Sequence, residues 1–424
     1  MCHVTGLLLI ASNAYMPRTL VAALLLVVLL GGCGGAEWTN HTLSADPSPS
    51  PAGEGTSATD SSGPAAQTES DTTVLGSWSA IPSAPIQGRD YFTWVWTGTE
   101  VLIWGGLPGP TTLDDHRVSD GSDGAAYVPA TGHWRLLPPA PLAGRFAHIA
   151  AWTGHEMLVW GGVSTPDGRI ARPDGAAYDP VTNTWRRITP SPIHRTGTSV
   201  GVWTGSRWVV VDGLADDGGR AIDLEAAAYD PAADAWTTLP GLHLPAAVSA
   251  SITWTGSDVL FVENPDAGHD LGFRLQLGDA SWQPTAPAPF DGIFAAQGIW
   301  TGAELLLPAS FVKVDPAGDV SDRLFGYDPA ADVWRASSLP PTGMRSLEGV
   351  WTGRYVVFYS GIQPAVAYEA TSDRWLELPA TVAGQHEAGY TLWAGDRIVA
   401  WGGGEGESFL RPADGLQFVP EDTP

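Results

Sequence analysis

"AYDPVTNTW" runs from Ala177 to Trp185, "AYDPAADAW" from Ala228 to Trp236, and "GYDPAADVW" from Gly326 to Trp334. Three near-copies of nine residues mark a repeat, and a repeat fixes architecture before any single residue does. In each copy apolar, β-forming residues flank an Asp-Pro pair. Asp favours turning, and Pro has no N–H to give a strand ladder. Each copy therefore reads as strand, tight turn, strand.

Two further signals recur in fixed order around these copies. "WTG" stands at Trp96, Trp152, Trp203, Trp254, Trp300 and Trp351, with "WAG" at Trp393. The Tyr-Asp-Pro turn has weaker forms at Tyr127, Tyr368 and Phe418. A Trp follows the turn at Trp134, Trp185, Trp236, Trp282, Trp334 and Trp375, and one more, Trp78, precedes the first full unit. Between Leu275 and Trp282 the turn signal has decayed while its Trp remains. The second unit shows the whole pattern. "AHIAAW" runs through Thr153-Gly154 into "EMLVWGG", a hairpin whose Gly can take positive φ. A polar stretch then leads to "GAAYDPVTNTWRRI", a second hairpin. No helical periodicity appears after residue 76.

Four short strands per unit of about fifty residues is the pattern of a β-propeller blade. The order apolar strand, Gly-Gly, Tyr, Trp resembles kelch repeats over residues 77 to 420. Gly105-Gly106, Gly161-Gly162 and Gly402-Gly403 keep the doublet; Asp212-Gly213, Glu263-Asn264, Leu307-Pro308 and Ser360-Gly361 stand in its place elsewhere. The expected fold is all-β: a seven-bladed propeller of four-stranded kelch-like blades. The last unit, Gly389 to Pro420, has three strands and lacks a final Trp. "GSWSAIP" near Trp78 should complete it, closing the ring by pairing the two ends of the domain. One blade cannot bury its own faces, so the repeated Trp and Tyr are read as packing between blades.

The N-terminus reads as an address. "MPRTLVAALLLVVLLGGC", Met16 to Cys33, has a basic start and an apolar run too short for a spanning helix. Leu30-Gly31-Gly32-Cys33 resembles a bacterial lipobox, which implies lipidation of Cys33 and anchorage to the outside of the bacterial cell membrane. An ordinary secretory signal or a short anchor with an incidental Cys fits the same residues. Residues 1–33 are thus expected to be a signal segment starting at Met1 or Met16. Residues 34–76, rich in Pro, Ser, Thr and Gly, are expected to be a disordered tether of roughly 35 Å root-mean-square span. Residues 77–424 form the propeller, which is expected to be monomeric.

The formal charge is −25, which repels nucleic acid and anionic surfaces. The two cysteines, Cys2 and Cys33, leave the propeller without a thiol. The resemblance extends to the galactose-oxidase group, whose copper site needs a Tyr cross-linked to a Cys; that cofactor cannot form here. Sialidase boxes and His-Glu-x-x-His are absent from the sequence. His148 and His155 lie at opposite ends of one strand and cannot share a metal. Asp114, Asp115, Asp120 and Asp123, and Asp212, Asp216 and Asp217, raise calcium, but neither run has the spacing of a calcium loop.

The two short turns of each blade share one face. The second-to-third-strand loops, long and mutually unlike, share the other, as in Leu107–Gly124 and Val163–Gly175. Loops on a rigid frame are where binding residues usually lie. Just before the innermost strands stand Arg89, Arg145, His148, His194, Arg195, Arg345 and His386. They are the candidate binding set at the channel mouth, suited to an anionic group. The competing reading is that these arginines tie blades together through carbonyls or through acids such as Asp90 and Glu348. No cofactor is expected. The function expected is binding of an extracellular protein or glycan by the long-loop face. The alternatives are an enzyme acting on a sugar or anionic metabolite, as in a kelch sugar mutarotase with Glu348 or Glu387 as its acid, and a structural envelope component.

Overall fold

The computed structural model describes residues 76–109, 120–164, 170–194, 198–214, 222–244, 249–264, 272–289, 293–294, 297–313, 320–341, 349–359, 364–381, 390–403 and 411–421. They all belong to one compact unit, Asp71–Pro424, and contain strands but no helix. The strands form seven antiparallel sheets of four or five, plus two small two-stranded ones. The seven-bladed propeller is as expected.

Seven inner strands, Thr93–Trp96, Ile149–Trp152, Thr198–Trp203, Ser249–Trp254, Ile299–Trp300, Gly349–Trp351 and Tyr390–Trp393, each end on a Trp of the WTG or WAG signal. Each touches the next and the last touches the first, closing a ring. The turn that follows has a physical reason for its spelling. Thr97 Oγ1 accepts the Glu100 N–H and donates to the Glu100 carbonyl, and Thr153, Thr204, Thr255, Thr301 and Thr352 likewise donate to the carbonyl three residues on. Gly98, at φ 99°, takes the first central position, where a two-residue hairpin needs positive φ.

The seventh blade runs Gly76–Ile81, Gly415–Pro420, Ile398–Trp401, Tyr390–Trp393 from rim to axis. Gly76 pairs with Pro420, Trp78 with Phe418 and Ile81 with Gly415. The strand around Trp78 therefore closes the ring, as expected from the "GSWSAIP" stretch.

There is no single core. Seven apolar clusters lie one between each pair of blades. Between the first and second blades, for example, Leu102, Trp104 and Ala126 meet Met157, Val159, Ala176 and Tyr178. Each outer-strand Trp stands in one of these seams. Its indole N–H donates to a carbonyl at the end of the preceding blade: Trp78 to Pro379, Trp134 to Pro82, Trp185 to Pro138, Trp236 to Thr189, Trp282 to Pro240, Trp334 to Ala286 and Trp375 to Ser338, all at 2.8–3.0 Å. The blade's Tyr lies directly across the strands. Tyr178 and Trp185 are paired in register with ring centroids 5.0 Å apart, and Phe418 replaces Tyr beside Trp78.

The Asn or Asp five residues after the Tyr has a defined role. Asn183, Asp234, Asp332 and Asp373 all take positive φ, which short polar side chains tolerate. Each accepts the hydroxyl of its Tyr at 2.6–2.8 Å. The three aspartates also accept an N–H from the residue whose carbonyl holds the Trp: Thr189, Ala286 and Ser338. In the other four blades that residue is Pro82, Pro138, Pro240 or Pro379, which has no N–H to offer, and no aspartate stands opposite. Burial and the Asp234 carboxylate push the Tyr229 hydroxyl up to about 12, so it stays a donor at neutral pH.

A third link joins the outer strands. Arg135 forms a two-point pair with Glu100 at 2.6 and 3.2 Å and donates to the Tyr178 hydroxyl of the next blade. Arg186 with Glu156 and Tyr229, and Arg335 with Glu304 and Tyr368, repeat it.

Replacing Trp236 by Phe keeps an aromatic ring but removes the bond to the Thr189 carbonyl, and should cost about 1 kcal/mol in chemical denaturation. Trp78→Ala empties a buried site in the closing strand and should cost about 3–5 kcal/mol. An equal loss in both variants would count against the two separate roles.

Candidate functional site

Arg89 and Arg145 occupy matching places and are wholly buried, at 0% exposure. Each sits on a two-residue strand, Arg89–Asp90 or Arg145–Phe146, that pairs with Leu107–Pro108 or Val163–Ser164 just past the Gly doublet. The Arg89 guanidinium donates to the carbonyls of Gln87 and Gly105 and to the Asp123 carboxylate at 2.8 Å. That of Arg145 donates to the carbonyls of Ala143, Gly161 and Asp174, and pairs with the Asp174 carboxylate at 2.9 Å. Their own carbonyls accept N–H groups from the preceding blade: Gly403 to Arg89 and Gly106 to Arg145.

This geometry explains the Gly doublet. Its first residue offers a carbonyl to the buried Arg, and its second an N–H to the next blade. At Gly105, with φ 69°, a Cβ would meet His148 Cε1 at 2.4 Å, so a side chain does not fit there. The two guanidinium groups are engaged inside the protein, each within its own blade, and the link to the preceding blade is made by the arginine's main-chain carbonyl. The acid partners differ from those expected: Asp123 and Asp174 take the part, while Asp90 is held by Arg411 of the seventh blade at 2.6 Å. A sequence signal for these partners exists in "DGAAY", written once at Asp123–Tyr127 and again at Asp174–Tyr178.

His148 is buried between the first two blades. Its Nε2 lies 2.8 Å from Thr93 Oγ1, and its ring meets Trp104 edge-on at 5.1 Å. Burial, reinforced by the Arg145 charge, pulls its pKa down from 6.5 to about 3. His194 is exposed, and its backbone N–H donates to Glu225 at 2.5 Å. Arg195, Arg345 and His386, the acids Glu348 and Glu387, and the lipobox Cys33 lie outside the described residues, as do 110–119, 165–169 and 404–410 of the long loops.

Of the acids considered for calcium, Asp120 accepts the Ser122 N–H and hydroxyl, Asp123 pairs with Arg89, and the Ser199 hydroxyl donates to buried Asp212 at 2.5 Å. Asp114, Asp115, Asp216 and Asp217 lie outside the described residues. Among the described residues no three His, Cys, Asp or Glu side chains converge as metal ligands.

A concave site does occur on the opposite face, among the short turns. A groove of about 570 Å³ opens between the first and second blades. Thr97, Thr99 and Glu100 of one hairpin turn form one wall; Trp152, His155, Glu156 and the Asp179–Val181 turn form the other. The sequence reading assigned the short-turn face no role. The groove's residues come from three separate turns, so no contiguous motif announces it.

Arg145→Met would strip the carbonyls of Gly161 and Asp174 of their donor and leave Asp174 with Arg187 as its remaining ion-pair partner; a loss of about 1–3 kcal/mol is expected in denaturation. His148 gives a pH signature. Between about 6.5 and about 3 the unfolded chain holds one more proton at this residue than the folded ring. His148 therefore contributes stability above about pH 6.5 and withdraws it as pH falls, at about 1.4 kcal/mol per pH unit. His148→Asn should flatten that part of the stability–pH curve, which denaturation at pH 4.5 and 7 would measure.

No family model matches the chain. It is 22% identical over 312 residues to Kelch-like protein terF of Aspergillus terreus, covering 65% of this chain and 66% of that relative. The chain thus spans just under two thirds of that protein's length. A fungal alcohol oxidase of the AA5 family, solved with copper, superposes with a TM-score of 0.57 at 12% identity, over 81% of this chain and 76% of that one. The structure of YjhT aligns with a TM-score of 0.48 at 14% identity, over 70% of this chain and 99% of its own. The chain is a seven-bladed β-propeller, and its repeats and its relative support a kelch-repeat propeller.

Proposed function

We propose that this protein is an extracytoplasmic binding protein, anchored to a bacterial cell membrane by lipid on Cys33 and carrying its propeller on the 34–76 tether. The long-loop face takes the partner, an extracellular protein or glycan. One observation carries the reading: the conspicuous cations Arg89 and Arg145 are built into blade closure. The ring is then a fixed frame, and chemical variety is left to the loops between second and third strands. Such loops on a rigid scaffold are the usual seat of recognition.

Two experiments test the two halves. In a bacterial host fed alkyne-palmitate, the full chain should take up label and partition with membranes, and Cys33→Ser should lose both; label retained in that variant would refute the anchor. On a glycan array and against purified extracellular matrix proteins, the full chain should bind at least one probe saturably. Replacing 110–119 by a Gly-Ser stretch of equal length should weaken that binding at least tenfold. Unchanged binding would move the site off this face.

A further inference from the structure

We propose that the groove between the first and second blades, on the short-turn face, is a binding site for a neutral sugar ring. This rests on the reading of the protein as a binder and gives it a second surface with a defined ligand chemistry.

The groove's charge state decides its ligand. Three carboxylates line it, which at first sight suits a cation. Glu100 is already matched by Arg135 through two hydrogen bonds at 2.6 and 3.2 Å, and Glu156 by Arg186 at 2.6 and 2.9 Å. Asp179 accepts the N–H groups of Val181 and Thr182 and the Thr182 hydroxyl. Each glutamate is neutralised by an arginine on its own blade, so the groove's net charge is that of Asp179, whose oxygens are already engaged within its own turn. Acceptor capacity does remain. A carboxylate oxygen can take two hydrogen bonds, and each glutamate oxygen receives one from its arginine. Such oxygens suit the O–H groups of a polyol, which can reach the two glutamates without desolvating an unpaired charge.

The other walls complement that chemistry. Trp152 is half-buried and lends indole surface to the groove, against which the C–H face of a sugar can pack. His155 and Thr99 are exposed and supply hydrogen-bonding groups. Val181, 91% exposed, stands at the rim. The volume of about 570 Å³ lies within the range of small-ligand sites.

The groove also departs from the repeat. Every blade carries the same hairpin turn, yet the residue four after its Trp is Glu100, Glu156, Arg207, Asp258, Glu304, Tyr355 and Arg397 in successive blades. Only the first and second blades are neighbours with glutamate at both. Packing alone would be served equally at every seam; this one is furnished differently.

Saturation-transfer NMR on the full chain, with methyl β-D-glucoside, cellobiose and N-acetylglucosamine as neutral probes and arginine amide as the cationic one, tests the site. At least one sugar should receive saturation, and arginine amide should not compete with it. His155→Ala removes one hydrogen-bonding group and should weaken the sugar about fivefold. Thr99→Trp fills the groove and should abolish binding. Neither residue belongs to the blade clamps, so thermal midpoints should hold and loss of fold is separable from loss of binding. Preferential uptake of arginine amide would overturn the proposal, and so would silence from all three sugars. Sugar binding equal in wild type and both variants would overturn it too, while leaving the long-loop face to account for that binding.

Discussion

The structure depends on one contact made seven times: an indole N–H on the outer strand of one blade bonded to a main-chain carbonyl at the end of the blade before it. Apolar burial supplies most of the stabilisation in each seam, but it is non-directional. Two flat sheets pressed together could slide. The indole bond is directional and fixes their offset, each such bond being worth roughly 0.5–1.5 kcal/mol. Seven equal offsets are what allow the ring to meet itself.

The secondary links follow a consistent local logic. Aspartate accompanies a preceding residue with an N–H, and proline accompanies its absence. Glutamate in the hairpin accompanies arginine after the outer Trp, as in Glu100 with Arg135 and Glu304 with Arg335. Gly-Gly accompanies a buried Arg where the chain enters the blade. Each pair matches a donor to an acceptor across or within a seam, so the seams differ in composition while repeating one geometry.

The number of blades, the four strands in each and the closing role of the Trp78 segment were legible from sequence. The signals for them are main-chain signals: a Gly that must turn, a Pro that cannot pair, a Trp too large to leave exposed. That these arginines serve the frame was legible as a possibility, but their guanidinium groups brace their own blade and their acid partners are other than those expected. The guanidinium of Arg89 reaches along its own blade to Asp123, thirty-four residues on, while adjacent Asp90 turns outward to Arg411. Sequence proximity was a poor guide because a blade brings its second-to-third-strand junction back over its entrance. Trp104, Trp160, Trp208 and Trp401, all fully buried, were outside the counted repeat although three of them precede the Gly doublet. The groove was invisible for a different reason. Glu100, Trp152 and Asp179 are unremarkable singly, and only the curvature of the ring sets them around one space.

The pairing of Gly76–Ile81 with Gly415–Pro420 has a consequence in time. The segment that leaves the ribosome early finds its partner only when nearly the whole domain has been made. Until then the first and seventh blades each present a raw flank, and the indole of Trp78 has no seam to enter. Non-local closure of this kind is slow and leaves intermediates open to aggregation. A chain cut short by even one strand would therefore be an unlatched arc, easily recognised and removed by quality-control proteases, and only finished copies would persist.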